Sequence, residues 1–153
     1  MGVSVYSVSA TSPEGSSFHR NWWWWRPLWE YTQSVAGDLV ANVNGDYNNG
    51  EGLDLEGSEK LAQVLFAHYA SGHAKTWHEE RLARLATLPK ETCHVCDGNG
   101  VTLKTLPKKE LSECSICKGE GMVANSQNNY SFDPEDVREF AEFLKACGGF
   151  RIC

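Results

Sequence analysis

Apolar and polar residues change rhythm several times along the chain, and each rhythm predicts an element. Val3–Val8 alternates valine with serine or tyrosine, the period of a short strand with one buried face. Ser9–Ser17 is polar and carries Pro13 and Gly15, so it reads as a turn or loop. The period then lengthens. Leu28, Tyr31, Val35, Leu39 and Val43 recur at roughly helical spacing, and Pro27 is tolerated in a first helical turn. This predicts a helix near 27–42, weakened by Gly37. Asn44–Gly52, crowded with glycine and asparagine, is a loop. Asp54 or Ser58 caps a second helix with Leu61, Val64, Leu65 and His68 on one face, ended by Gly72. A third helix is expected from about Ala74 to Leu88, stopped by Pro89, with Glu79, Glu80, Arg81 and Arg84 on a charged outer face.

The last helix has the sharpest signals. Asp133 is a good N-cap, Pro134 suits the first helical position, and Glu135 and Asp136 suit the positive end of the helix. Phe132 and Val137 occupy the two positions of a hydrophobic staple. Val137, Phe140, Ala141 and Leu144 form the buried stripe, and Gly148-Gly149 ends it. Phe150–Cys153 alternates and adds a terminal strand. Cys147 continues the stripe as a buried free thiol, and Cys153 has no assigned role.

Between the third and last helices the rhythm gives way to a repeat. Cys93–Gly100 and Cys114–Gly121 both read C-x-x-C-x-G-x-G, separated by enough chain for an out-and-back ribbon through Val101–Leu106. Each C-x-x-C turn brings two thiolates to one metal, and two such turns complete a tetrahedron. The glycines allow the backbone to curl, through positive φ, until N–H groups point at sulfur. The expectation is one structural Zn2+ held by Cys93, Cys96, Cys114 and Cys117. A closed set of thiolates leaves no position for a reactive water. His94 is placed at the surface of its turn rather than on the metal.

Composition narrows the function classes. A formal charge of −6 on 153 residues argues against general duplex nucleic-acid binding, which depends on lysine and arginine. Lys104, Lys108, Lys109 and Lys118 cluster near the cysteines, where they offset the charge of a tetrathiolate site. No apolar run is long enough to span a bilayer, and residues 1–10 lack the features of an export signal. Six cysteines without such a signal suit a reducing cytoplasm. Catalytic signatures such as G-x-S-x-G, a P-loop, H-E-x-x-H or a dinucleotide fingerprint are absent. His68, His73 and His78, spaced by five, do not share one helical face and are read as packing or surface residues.

Trp22, Trp23, Trp24, Trp25 and Trp29 are more indole than one helical stripe can bury, since successive helical residues point about 100° apart. Arg20 and Arg26 flank them, and guanidinium groups suit both phosphate and stacking. These seven residues form the candidate ligand site, and the leading expectation is a non-enzymatic protein that sequesters a compact, nucleotide-like ligand. The alternative is a protein–protein adaptor or inhibitor that uses the same patch with the zinc ribbon as a clamp. Association with further copies of the chain stays open.

The paired Cys-His-Val-Cys-Asp-Gly-Asn-Gly and Cys-Ser-Ile-Cys-Lys-Gly-Glu-Gly segments resemble half of the cysteine-rich region of DnaJ-type co-chaperones. That resemblance implies a zinc ribbon and nothing about co-chaperone activity, because the His-Pro-Asp signature of the J-domain is absent. The Asn-Trp-Trp-Trp-Trp-Arg-Pro-Leu-Trp segment and the closing Phe-Leu-Lys-Ala-Cys-Gly-Gly-Phe-Arg-Ile-Cys resemble a group of small proteins of bacteria and their phages. That likeness carries no activity; on it, capture of a host defence signal is one concrete form of ligand sequestration. The expected architecture is α+β and mostly helical: residues 1–92 with the tryptophans, the ribbon inserted at 93–121, and 122–153 packing back on the first part.

Overall fold

The computed structural model describes residues 2–104 and 110–153. Leu106, Lys108 and Lys109, named above for the ribbon and its basic patch, lie outside them, as does the side chain of Lys104. The described residues form an α+β domain that divides into two compact units, Met1–Leu82 with Tyr130–Cys153, and Ala83–Asn129.

In the first unit, β1 (Gly2–Ser7) pairs antiparallel with β2 (Ser17–Asn21), which leads directly into α1 (Trp22–Val40). Then come α2 (Leu55–Ala70), α3 (His73–Ala86), within which the division between units falls, α4 (Pro134–Ala146) and a last strand (Phe150–Ile152). That last strand pairs antiparallel with the other edge of β1, so the sheet order places β1 in the centre. Alternation decides which face is buried. Val3, Val5, Phe18, Phe150 and Ile152 enter one core with Leu28, Tyr31, Leu61, Leu65, Val137, Phe140 and Leu144 from the helices.

Two backbone seams close this unit. The loop after β1 donates Ser9 N–H to Cys147 O and Thr11 N–H to Ala146 O, satisfying carbonyls that the end of α4 leaves without helical partners. The glycine-rich loop covers the free edge of the last strand: Ile152 N–H donates to Glu51 O at 2.8 Å and Phe150 N–H to Leu53 O at 2.9 Å.

Several expectations shift. Ser17, read as the end of a loop, instead begins a strand that runs to Asn21, because Phe18 reaches the core from the edge of β1. α1 begins at Trp22 rather than near residue 27, since the Asn21 side chain accepts the Trp24 N–H at 3.2 Å and caps it there. Pro27 therefore lies inside the helix. The weak point expected at Gly37 falls on Ala36, whose φ of −139° interrupts the helical run. Asp54, not Ser58, caps α2, accepting from Gly57 N–H at 2.8 Å. Arg81, placed on an outer face, is buried. Asp136, assigned to the helix start, is also buried and faces Arg20. Cys147 is buried as expected, and Cys153 is exposed.

The second unit has very short strands. β3 (Glu91–Thr92) pairs with β6 (Met122–Val123), and between them β4 (Val101–Lys104) pairs with β5 (Glu110–Glu113), all antiparallel. The last strand of the first unit is thus β7. The insertion expected at 93–121 lies within this unit, which starts and ends further out. Its core is the cysteine quartet with Val123 packed against it.

Candidate functional site

The two cysteine turns repeat each other residue by residue. Asp97 and Lys118 have φ of 48° and 51°, Gly98 and Gly119 have 81° and 80°, and Gly100 and Gly121 have 75° and 71°. Sequence reasoning assigned the positive φ to glycine alone; the position after each second cysteine shares it. The turns also lock together. Cys93 N–H donates to Gly121 O at 2.9 Å, and Cys114 N–H to Gly100 O at 2.8 Å. A side chain on Gly100 would lie 2.3 Å from Gly119 O, and one on Gly121 would lie 2.2 Å from Gly98 O. Only glycine fits both conformation and space.

All four sulfurs are buried and lie within 4.8 Å of one another. Cys93 and Cys114 Sγ are 3.9 Å apart, and Cys96 and Cys117 Sγ 3.6 Å. Tetrahedral zinc with Zn–S bonds near 2.3 Å demands about 3.8 Å between sulfurs, so the quartet fits such an ion. Gly100 N–H points at Cys96 Sγ at 3.3 Å and Gly121 N–H at Cys117 Sγ at 3.2 Å, the orienting contacts that a thiolate metal site uses. Backbone N–H groups, that of Cys117 first, draw the Cys114 thiol down to about 7, while burial pushes the Cys117 thiol up to about 11. These cysteines can hold a metal ion. Lys118, expected only to offset the charge of the site, shapes its turn through this conformation, as Asp97 does in the other turn.

The tryptophan run divides between core and surface, as a helical run must. Trp25 and Trp29 are buried and stacked, with ring centroids 5.5 Å apart, and Trp25 Nε1 donates to Gly45 O at 2.7 Å. Trp22 is half-buried, while Trp23 and Trp24 remain 48% and 37% exposed. Of the exposed pair, Trp23 packs with Tyr130, a residue that the sequence did not single out. Trp23 and Tyr130 rings lie 4.9 Å apart, and Ser131 N–H donates to Trp23 O at 2.9 Å, tying that segment to the helix start. Arg26 donates from Nη1 to Tyr130 Oη at 3.0 Å and sits over Trp22 and Tyr130 at 5.4 and 5.7 Å.

Arg20 points elsewhere. Its Nε and Nη2 donate to Asp136 Oδ1 at 2.9 and 2.7 Å, and Nη2 also meets Glu139 Oε2. Burial opposes the charge on Arg20, but the two carboxylates outweigh it and hold the guanidinium above its ordinary value. Arg20 does line a cavity of about 450 Å3 with His19, Glu139 and Glu142, yet the exposed tryptophans take no part in it. The seven residues thus form three groups: a core pair, an aromatic surface with Arg26, and a structural ion cluster.

The histidines meet in an unexpected way. The turn at Gly72 brings His68 and His73 rings to 4.9 Å, His68 Nδ1 bonds Val64 O at 2.8 Å, and His73 Nδ1 lies 3.0 Å from Tyr31 Oη. Burial pushes the Tyr31 phenol up to about 12, so it serves as a neutral hydrogen-bonding group. With Trp77 edge-on to Tyr31 and Phe132 tilted against it, this is a packing cluster. No helix among the described residues is long and apolar enough to cross a membrane. Comparison with protein-family models, with curated proteins and with solved structures finds no match.

Proposed function

We propose that the protein is a zinc-stabilised, non-enzymatic binding protein that takes a protein partner on the exposed start of α1. Zinc is the metal of choice for four buried thiolates spaced as these are, and a closed tetrahedron gives it a structural role. The repeat resembling the DnaJ-type cysteine-rich region is the ribbon that holds it, inserted at 93–121 between the flanking parts of the chain. Six unpaired cysteines suit a reducing compartment, the cytoplasm.

The observation that carries the binding half is the exposure of Trp23 against Tyr130, with Arg26 bonded to the same tyrosine and Trp24 exposed next to Trp23 in the chain. Tryptophan, tyrosine and arginine are the residues that dominate binding energy at protein interfaces. The nucleotide-like reading loses its footing on the same geometry. Two of its tryptophans are committed to the core, and the more enclosed arginine is already neutralised by carboxylates.

Two measurements test the proposal. Metal analysis of purified protein should return about one zinc per chain, as four ligands per ion require. A well-folded preparation without metal would remove the first half. For the second, immobilised wild-type protein should retain a partner from an extract that Trp23→Ala and Trp24→Ala lose, with zinc content and thermal midpoint unchanged. Equal retention by both variants would refute a role for this surface.

A further inference from the structure

Resting on that reading of α1 as a contact surface, we infer the chemistry of what it receives: a protein segment that presents a carboxylate beside an apolar side chain. Arg26 carries the inference. Three other arginines bond carboxylates or carbonyls: Arg20 meets Asp136 and Glu139, Arg138 meets Glu135 and Glu142, and Arg151 donates to the carbonyls of Leu53 and Phe150. Arg26 is held instead by rings, between Trp22 and Tyr130, and its one hydrogen bond goes to a neutral phenol. Unlike those three, Arg26 bonds a hydroxyl rather than a carboxylate or carbonyl.

A guanidinium has five N–H donors in a planar fork, and Tyr130 uses one. The residue is exposed, and the aromatic contacts hold the fork in place before anything binds. Pre-ordering of this kind lowers the entropic cost of a bidentate bond to a planar acceptor. The flanking surface is apolar: Trp23, three residues before Arg26 and so on its face of α1, is 48% exposed, and Trp24 is exposed next to it in the chain. The helix itself adds to the preference, because α1 has no acidic residue in its first turn, whereas α2 and α4 carry Glu56 and Glu135 there.

Charge decides between carboxylate and phosphate. The surface offers one cation on a chain of formal charge −6, which matches one carboxylate. A phosphate carries up to about two charges at neutral pH and is ordinarily met by several cations. An acidic residue next to leucine or phenylalanine satisfies the fork and the indoles together.

The test selects a randomised peptide library on the zinc-loaded full chain, then measures the recovered peptides by titration. Peptides with Asp or Glu next to an apolar residue should dominate. Replacing that acid by its amide, or making Arg26→Ala, should each weaken binding about tenfold, the scale of a charge-assisted bidentate bond. The two changes together should cost no more than either alone, because they remove one interaction. Peptides that depend on Trp23 and Trp24 but neither carry an acid nor respond to Arg26→Ala would overturn this inference and leave the contact surface standing. Failure to recover any peptide dependent on these tryptophans would overturn both. Saturable indole quenching by AMP that Arg26→Ala abolishes, with no peptide bound, would replace the carboxylate by a phosphate.

Discussion

Gly45 sits where an indole leaves no room for a side chain. Its φ is ordinary, so the constraint is space: an added Cβ would lie 2.3 Å from Trp29 Cε2 and Nε1. Trp29 cannot retreat, being stacked on Trp25, whose own Nε1 is bonded to the Gly45 carbonyl. Gly45→Ala should therefore destabilise the first unit by about 1–3 kcal/mol, as overpacking a filled core does. Denaturant midpoints read this directly, with an unchanged midpoint counting against the packing argument. The residue was visible in the sequence as part of a loop and nothing more. A glycine that permits a turn and one that clears space for a distant ring look identical in a chain of letters. The metal turns are the opposite case, because duplication supplies a second copy of every position and the four cysteines declare the chemistry that places the glycines.

Helix ends were legible for the same local reason. Asp133 accepts from Glu135 N–H at 2.9 Å as its cap position implies, and the α4 stripe of Val137, Phe140, Ala141 and Leu144 is buried. What the stripe could not reveal is the partner of each polar residue beside it. Asp136 reaches Arg20 across 116 positions of chain, and Glu135 accepts from Tyr69 Oη of α2 at 2.6 Å. These pairings yield a pH prediction. The Tyr69 hydrogen bond, then Arg138, hold the Glu135 carboxyl below its ordinary 4.5. A lowered folded value means stability present above about pH 4.5 and lost as pH falls through the lowered value. Asp136 acts with the opposite sign, since burial raises its carboxyl despite Arg20. The whole-protein profile mixes the two, so the informative quantity is a difference. Tyr69→Phe should raise the Glu135 titration midpoint in a carboxyl NMR titration. It should also shrink the stability lost between neutral pH and the acid side. A variant with the wild-type Glu135 midpoint would show that the bond does not act in solution.

Across the whole molecule, the two units hold themselves together by different means. Met1–Leu82 with Tyr130–Cys153 has a core of its own, built from Trp25, Trp29, Phe140, Phe150 and the aliphatic residues of a sheet and several helices. In Ala83–Asn129, among the described residues, Val123 alone packs against the cysteine quartet. Two-stranded ribbons are marginal in water without an apolar face to bury, and Leu103 and Leu111, paired across β4 and β5, are 56% and 73% exposed. In the proposed reading a bound zinc ion supplies the folding free energy, which in zinc-dependent domains reaches about 10–16 kcal/mol. Removing zinc with a chelator should abolish amide protection through Ala83–Asn129. The first unit loses no core residue by this, but its two chain segments become joined by a long flexible loop. Closing such a loop costs about 3–4 kcal/mol and grows only slowly with length, a loss that an independent core of this kind tolerates. Protection should therefore persist in β1, α2 and α4, with a lowered unfolding midpoint. Cys117→Ser should reproduce the chelated state, because each ligand is needed to close the tetrahedron. Hydrogen exchange resolves the outcomes by segment. Simultaneous loss of protection in both units would mean that the zinc ribbon is required for the whole chain to fold, and retained protection in Ala83–Asn129 would mean that the cysteines hold it without a metal.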